Sequence, residues 1–220
     1  MPDRIRTLDW IIKTGMAAVI RAKSSDHLMQ VADAIKEGGI DVIEVTMTTP
    51  DALKVIEETA RKYGDEVLIG VGTVLDAETC RLAILAGAEF VVGPCLDRPM
   101  IEMAHRYDKL VMPGCFTPTE ILQAWNWGAD LVKVFPADIL GPTFFKDILG
   151  PLPQVRMVPT GGVALDTAAD FLKAGCVALC AGSSLIDKTA VVEGRFGAVT
   201  ETARQFREII DATRAEMKAQ

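Results

Sequence analysis

A single lysine, Lys133, stands in the middle of the apolar run Leu131-Val-Lys-Val-Phe-Pro136. Such a run is typical of a buried strand in a parallel sheet. A lysine ammonium there is costly unless it is paired or loses its proton, and a neutral amine can attack a ketone to form a Schiff base. Lys133 is therefore either a nucleophile or one partner of a structural ion pair.

A glutamate occupies a second apolar run, residues 42–46. Strand alternation places Glu44 and Thr46 on one face of their strand, as it places Lys133 and Phe135 on one face of theirs. If both faces point into one cavity, a carboxylate and an amine share it, which is a recurrent acid–base arrangement. A buried Glu–Lys pair that merely satisfies itself is the alternative, although such pairs contribute little to stability.

Anion binding is indicated by two glycine-rich turns, residues 160–162 and 181–184. They follow the seventh and eighth predicted strands, where barrels frequently bind phosphate through backbone N–H groups. Ordinary tight turns are the alternative. Arg21 and Thr73 end the first and third predicted strands, and together they could hold a carboxylate. A solvated side chain is the alternative for Arg21.

Composition restricts the possible partners. The chain has 220 residues, half of them hydrophobic, which fits one domain, residues 1–220, with a sizeable core. Its net charge is −7 and it has no basic cluster, so neither nucleic acid nor a membrane is an expected partner. Without a secretion signal at the N-terminus, the protein is expected to be cytoplasmic.

Metal and disulfide chemistry are not expected. Five cysteines without a C-x-x-C pair indicate reduced thiols in or near the core. Two histidines are too few for a histidine-rich metal site. We therefore expect no metal and no cofactor.

Alternating strands and helices must position these residues. Residues 3–13 predict an amphipathic helix, with Ile5, Leu8, Ile11 and Ile12 on one face. Eight strands follow at a spacing of roughly 20 to 26 residues, with helices between them: 17–22, 42–47, 68–74, 90–94, 110–116, 131–136, 156–161 and 178–182. Parallel βα units in this number predict an α/β fold, a closed (β/α)8 TIM barrel with an additional N-terminal helix.

Helix-start signals accompany the predicted helices. Thr49 and Thr117 each precede a proline, and Glu120 completes a capping box with Thr117. Asp76 and Asp166 are predicted as N-caps of two further helices.

Eight segments, spread over nearly the whole chain in order, together resemble the KDPG/KHG aldolases. They are Ala18-Val-Ile-Arg-Ala22, Ile43-Glu-Val-Thr46, Gly70-Val-Gly-Thr-Val74, Met112-Pro-Gly114, Thr117-Pro-Thr-Glu120, Val132-Lys-Val-Phe-Pro136, Gly141-Pro142 and Pro159-Thr-Gly-Gly162. The resemblance implies a metal-independent class I aldolase, usually a homotrimer. Such an enzyme cleaves a 2-keto-4-hydroxy acid to pyruvate and an aldehyde.

The family's site residues carry over by position. The resemblance implies that Lys133 forms the Schiff base and that Glu44 shuttles protons. It places Thr73 and Thr160 at the pyruvate end, with Arg21 as the carboxylate ligand. It assigns phosphate binding to Gly161, Gly162 and Ser183.

Pocket-lining roles are expected for Pro94, Phe135 and Thr48. Many relatives have arginine in the loop after the second strand where this chain has Thr48, while others combine this form with an arginine like Arg21. The substrate implied first is 2-keto-3-deoxy-6-phosphogluconate, with 4-hydroxy-2-oxoglutarate as a second.

Two other functions use the same residues differently. A sugar-phosphate isomerase or epimerase on a phosphate-binding barrel would exchange protons through Lys133 and Glu44 without a covalent bond. A non-catalytic sugar-acid binding protein would need neither a desolvated amine nor a proton shuttle.

Overall fold

Strands buried on both faces alternate with amphipathic helices along the chain. The computed structural model describes residues 4–21 and 25–219. Its strands are β1 (Met16–Ile20), β2 (Val42–Thr46), β3 (Leu68–Gly72), β4 (Phe90–Val92), β5 (Leu110–Met112), β6 (Gly114–Cys115), β7 (Val132–Val134), β8 (Met157–Pro159) and β9 (Leu179–Ala181). Its helices are α1 (Arg4–Thr14), α2 (Ser25–Glu37), α3 (Ala52–Tyr63), α4 (Ala77–Leu85), α5 (Arg98–Arg106), α6 (Pro118–Asn126), α7 (Ala137–Leu149), α8 (Ala168–Lys173), α9 (Lys188–Val192) and α10 (Phe196–Ala219), with a 3-10 turn at Gly64–Glu66.

The strands form a curled parallel sheet of an α/β fold. Six strands follow the order β5-β4-β3-β2-β1-β9, and three follow the order β6-β7-β8. A parallel bridge between Thr160 and Cys180 links the end of β8 to β9. Every strand position is buried, as expected for parallel strands with both faces covered.

The predicted strand 110–116 is two strands, because Pro113 interrupts it. Proline has no N–H to donate to a ladder. The first half, β5, pairs with β4, and the second half, β6, pairs with β7. The Lys133 N–H donates to the carbonyl of Pro113 at 3.0 Å, so the interruption lies beside the lysine strand.

One face of the sheet forms a separate inner core. Alternate residues of the strands meet there, including Val42 of β2 and Leu68 of β3, together with Leu131 just before β7. The opposite face packs against the helices. By alternation, Glu44 and Lys133 lie on the inner face.

Helix α1 covers one end of the inner core. Ile11 is fully buried against it, whereas Ile5 is 68% exposed, so the predicted apolar face is wrong at Ile5. Residue Asp3 of the predicted helix and Ala22 of the first predicted strand lie outside the described residues. Along the described part of the chain, no helix is both long enough and apolar enough to span a membrane.

Two of the four predicted helix starts are confirmed and two are wrong. Thr117 and Glu120 form the predicted capping box, and Asp76 accepts from the Thr79 N–H. Helix α3 is preceded by Asp51 in a left-handed conformation, so Thr49 is not its N-cap. Thr167, not Asp166, precedes α8.

Candidate active site

Strands β2 and β7 bury one ionisable side chain each at their centres. Glu44 is 1% exposed and Lys133 is 6% exposed. In register, Glu44 stands opposite Gly70 of β3, and Lys133 stands opposite Gly114 of β6. Each of the two ionisable residues therefore has a glycine, which has no side chain, as a partner on a neighbouring strand.

Glu44 and Lys133 do not satisfy each other. The Oε2 atom of Glu44 is buried and has no hydrogen-bond partner within the described part of the chain. Lys133 forms no ion pair with any residue that the structure describes, and its Nζ lies 5.2 Å from the centroid of the Phe135 ring. A self-satisfied buried ion pair is therefore not what the structure contains.

Burial controls the titration of Glu44. Loss of solvent raises the pKa of its carboxyl group, and the nearby charges of Lys133 and Arg21 oppose that rise without cancelling it. The carboxyl group consequently keeps its proton to a higher pH than an ordinary glutamate. Such a group can both accept a proton and return it, as a general acid–base catalyst does.

The turns after β8 and β9 enclose a cavity of about 190 Å³. Arg21, Phe135, Thr160, the two glycines Gly161 and Gly162, and Ser183 are among its lining residues. The two glycines have φ angles of 89° and 70°, which side-chain-bearing residues rarely adopt. Thr160 contributes a buried hydroxyl oxygen that has no hydrogen-bond partner within the described residues.

Thr73 has an unusual backbone at the end of β3. Its φ of 60° is left-handed, a conformation that β-branched residues rarely adopt. Strain of this kind costs on the order of 1–3 kcal/mol and clusters at functional sites. Sequence inspection does not reveal it.

Pro94 lies beside the strand that pairs with the Lys133 strand, whereas Thr48 lines a separate cavity. A Cβ built on Gly114 would come within 2.4 Å of the carbonyl carbon and oxygen of Pro94, which places Pro94 beside β6, the strand that pairs with the Lys133 strand. Thr48 is exposed and its hydroxyl lies 2.8 Å from the hydroxyl of Thr46. It lines a separate neighbouring cavity, which shares Arg21 with the first.

Cys180 and Ser184 also line the first cavity, although the sequence did not single them out as site residues. Burial and the negative charge of Glu44 raise the pKa of the Cys180 thiol to about 12, so the thiol is neutral. The prediction that the cysteines are core or near-core thiols is right for Cys180 but wrong for Cys95, which is exposed. The inward position of Cys180 follows from its strand register with Ala17, whose side chain is in the inner core.

Known proteins are similar to this chain in sequence and in fold. A family profile for KDPG and KHG aldolase matches residues 9–202. The 2-dehydro-3-deoxy-phosphogluconate aldolase of Treponema pallidum is 34% identical over 87% of this chain and 91% of its own length. The 2-dehydro-3-deoxy-6-phosphogalactonate aldolase of Escherichia coli is 29% identical over 92% of this chain and 100% of its own length.

A solved structure gives the same result. The KDPG aldolase of Legionella pneumophila, with pyruvate captured as a covalent carbinolamine intermediate, superposes with a TM-score of 0.84. It is 28% identical and covers 90% of this chain and 96% of the Legionella chain. The resemblance drawn from the sequence motifs is confirmed, and the chain belongs to the KDPG and KHG aldolase family, whose members are lyases.

Proposed function

We propose that this protein is a class I aldolase that cleaves a 2-keto-4-hydroxy acid through a Schiff base on Lys133. The proposed main substrate is 2-keto-3-deoxy-6-phosphogluconate, which would give pyruvate and glyceraldehyde 3-phosphate. Cleavage of 4-hydroxy-2-oxoglutarate to pyruvate and glyoxylate is the proposed second activity.

One observation carries the proposal. A buried carboxyl group on β2 and a buried amine on β7 lie on the inner faces of their sheets, and neither has an ion-pair partner within the described residues. Two polar groups kept this way cost stability, so a structural role explains them poorly. The covalent pyruvate carbinolamine of the Legionella relative supports the same chemistry.

In the proposed mechanism, the Nζ atom of Lys133 attacks the C2 carbonyl carbon of the substrate. The resulting carbinolamine takes up a proton, which the final hydrolysis returns, and loses water to become a protonated imine. Glu44 then accepts the proton of the C4 hydroxyl, through a water molecule, while the C3–C4 bond breaks. The electron pair of that bond moves to the imine nitrogen, the aldehyde leaves and an enamine remains.

The enamine then takes a proton at C3, which Glu44 supplies. Hydrolysis of the resulting imine releases pyruvate and the free amine of Lys133. The water lost on imine formation is regained here, so the net reaction consumes none. Glu44 ends the cycle in its starting protonation state.

Substrate binding is proposed for the residues around the buried pair. Arg21, Thr73 and Thr160 would hold the carboxylate end, and the turn formed by Gly161, Gly162 and Ser183 would hold the phosphate. The left-handed φ angles of both glycines support the second role, because they let backbone N–H groups converge on an anion. Phe135 and Pro94 would line the pocket, and Thr48 would line the neighbouring cavity that shares Arg21 with it.

We also propose that the curled sheet closes into a single-domain (β/α)8 barrel and that the protein assembles as a homotrimer. The bridge between β8 and β9 supports closure on one side. The pairing of β5 with β4 and of β6 with β7 supports it on the other.

Reductive trapping tests the covalent step. Treatment with pyruvate and borohydride should inactivate the protein and attach pyruvate to the peptide that contains Lys133. Lys109 is a matched internal control, because it is also buried but is ion-paired with Glu89 at 2.5 Å and should stay unlabelled. An adduct that survives Lys133→Ala would contradict the proposal.

A pyruvate-release assay coupled to lactate dehydrogenase tests the substrate. We expect turnover of the phosphorylated acids above that of the unphosphorylated ones. Turnover of a sugar phosphate without borohydride inactivation would instead support the isomerase alternative. Ligand-induced stabilisation without pyruvate release would support the binding-protein alternative.

A further inference from the structure

Gly72, the last residue of β3, leaves a space that the carboxyl group of Glu44 fills. A Cβ atom built on Gly72 would lie 1.7 Å from Oε1 of Glu44, 2.4 Å from its Cδ and 2.7 Å from its Cγ. Real Cβ atoms do not approach other atoms so closely. The volume that a side chain at position 72 would occupy is therefore held by Glu44.

Strand register shows which way Glu44 leans. Its own partner on β3 is Gly70, whereas Gly72 is the partner of Thr46. The carboxyl group of Glu44 thus extends two residues along β3, toward the carboxyl ends of the strands. That is the end where Arg21 and the turn after β8 lie.

Gly70 has a different neighbour. A Cβ there would lie 2.4 Å from three ring carbons of Phe90, a fully buried residue that is the register partner of Gly70 on β4. The aromatic ring therefore occupies the space at the level of Gly70. The space beside Gly70 is thus filled by the Phe90 ring, and the space beside Gly72 is filled by the Glu44 carboxyl group.

We propose that Gly72 is a positioning residue, whose missing side chain lets the Glu44 carboxyl group lie where it can exchange protons with the substrate. This inference rests on the proposed catalytic role of Glu44. It adds a steric requirement at a position that does not itself touch the reacting atoms. Backbone conformation does not require glycine at position 72, because the residue lies in a regular strand and its φ is not left-handed. The contact with Glu44 is the reason that a side chain does not fit there.

Alanine at position 72 should move Glu44 rather than unfold the chain. The atoms in its way are the far end of a flexible side chain, which can rotate. At Gly70 the obstacle is a rigid ring packed in the core, so alanine there should mainly destabilise the protein. A misplacement of about 1 Å in a catalytic group costs roughly 100-fold in rate.

A double-mutant cycle between Gly72→Ala and Glu44→Asp tests the contact. We expect Gly72→Ala to lower kcat about 100-fold with little change in KM, since Lys133 and the binding turns are untouched. Borohydride trapping of pyruvate should persist in this variant. Glu44→Asp shortens the side chain by one methylene and so removes the closest of these contacts, the one at Oε1, and Gly72→Ala should then lower kcat less.

Melting temperature provides a readout that does not depend on activity. Gly72→Ala should lower it in the wild-type background and lower it less in the Glu44→Asp background. Gly197→Ala is the matched control, because a Cβ at that position meets no atom within 4 Å, and it should leave kcat unchanged.

The outcomes separate the two proposals. Losses in kcat and melting temperature that are additive in the double variant would overturn the inference while leaving the proposed function intact. Full turnover by Glu44→Gln would overturn the proposed role of Glu44, and this inference with it.

Discussion

Two oxygen atoms of the candidate site, Oε2 of Glu44 and Oγ1 of Thr160, are buried without a hydrogen-bond partner among the described residues. Groups left in this state cost about 1–3 kcal/mol each in stability. Both point to a site in which substrate, rather than protein, supplies the missing partners. Substitutions that remove them should therefore separate stability from activity.

Glu44→Gln should make the protein more stable at alkaline pH and abolish most of the activity. Burial raises the pKa of Glu44 above its ordinary value of 4.5. The native state thus binds more protons than the unfolded state between the two values, and stability falls as pH rises through that window. The variant should lack this fall and be more stable than wild type above the window, measured by denaturant titration at several pH values.

Glu120→Gln is the control of opposite sign. Hydrogen bonds from the backbone N–H groups of Phe116 and Thr117 lower the pKa of Glu120. Its contribution to stability is present above the ordinary pKa and is lost as pH falls through the lowered one. The Glu120→Gln variant should therefore be less stable than wild type at neutral pH and equal to it in strong acid. Equal pH profiles for both variants would contradict these assignments.

Thr160→Val should stabilise the protein while weakening catalysis. The substitution replaces a buried hydroxyl group that has no partner with a methyl group of similar size, and the expected gain is about 1 kcal/mol in the free energy of unfolding. If Thr160 holds the pyruvate end of the substrate, kcat/KM should fall by about tenfold or more. Pyruvate-release assays and thermal unfolding of the same preparation measure both effects. A destabilised variant with full activity would contradict the proposed role.

Sequence patterns predict most elements of the fold and the two central residues of the site. An apolar strand interrupted by one charge identifies Lys133 and Glu44, because nothing else in a doubly buried strand has that pattern. Glycines also mark helix ends, and Gly39, Gly87, Gly128 and Gly175 all have positive φ angles there. These signals are local, so sequence suffices.

The remaining features depend on contacts between elements. The strained backbone of Thr73, the inward position of Cys180 and the space at Gly72 arise from neighbours that are distant in sequence. Pro113 is a local signal for the split of the fifth predicted strand, but the pairing of its two halves with different neighbours, β4 and β7, is not. A single sequence carries no signal for such contacts.

Arg214 of helix α10 binds the C-terminal end of α1. The guanidinium group donates to the carbonyls of Ile12 at 2.7 Å, Lys13 at 2.9 Å and Val177 at 3.0 Å. Three carbonyl acceptors at a half-buried site should make Arg214→Met cost about 2–4 kcal/mol with unchanged kcat. Arg204→Met, which removes only an exposed ion pair with Glu201, should cost less than about 0.5 kcal/mol. If Arg214→Met and Arg204→Met lowered the free energy of unfolding equally, the proposed stabilising role of Arg214 would be contradicted.

At the scale of the whole molecule, one end of the strands carries stabilising contacts and the other carries the candidate site. The end covered by α1 is closed by apolar packing around Ile11 and by the Arg214 hydrogen bonds. The opposite end carries Arg21, Thr160 and the glycine turn around the cavity. Stabilising contacts and candidate catalytic groups are thus separated along the strands, as in other folds built from βα units.

This separation predicts how activity depends on assembly. The residues assigned to the site belong to or follow β1, β2, β3, β4, β7, β8 and β9 of one chain. The proposed homotrimer should have about three times the chain mass of 23.7 kDa, and its dissociation should leave kcat per chain unchanged. Mass photometry over a dilution series, with pyruvate release assayed on the same samples, measures both quantities. Activity that disappears in step with the trimer would show that a neighbouring chain completes the site.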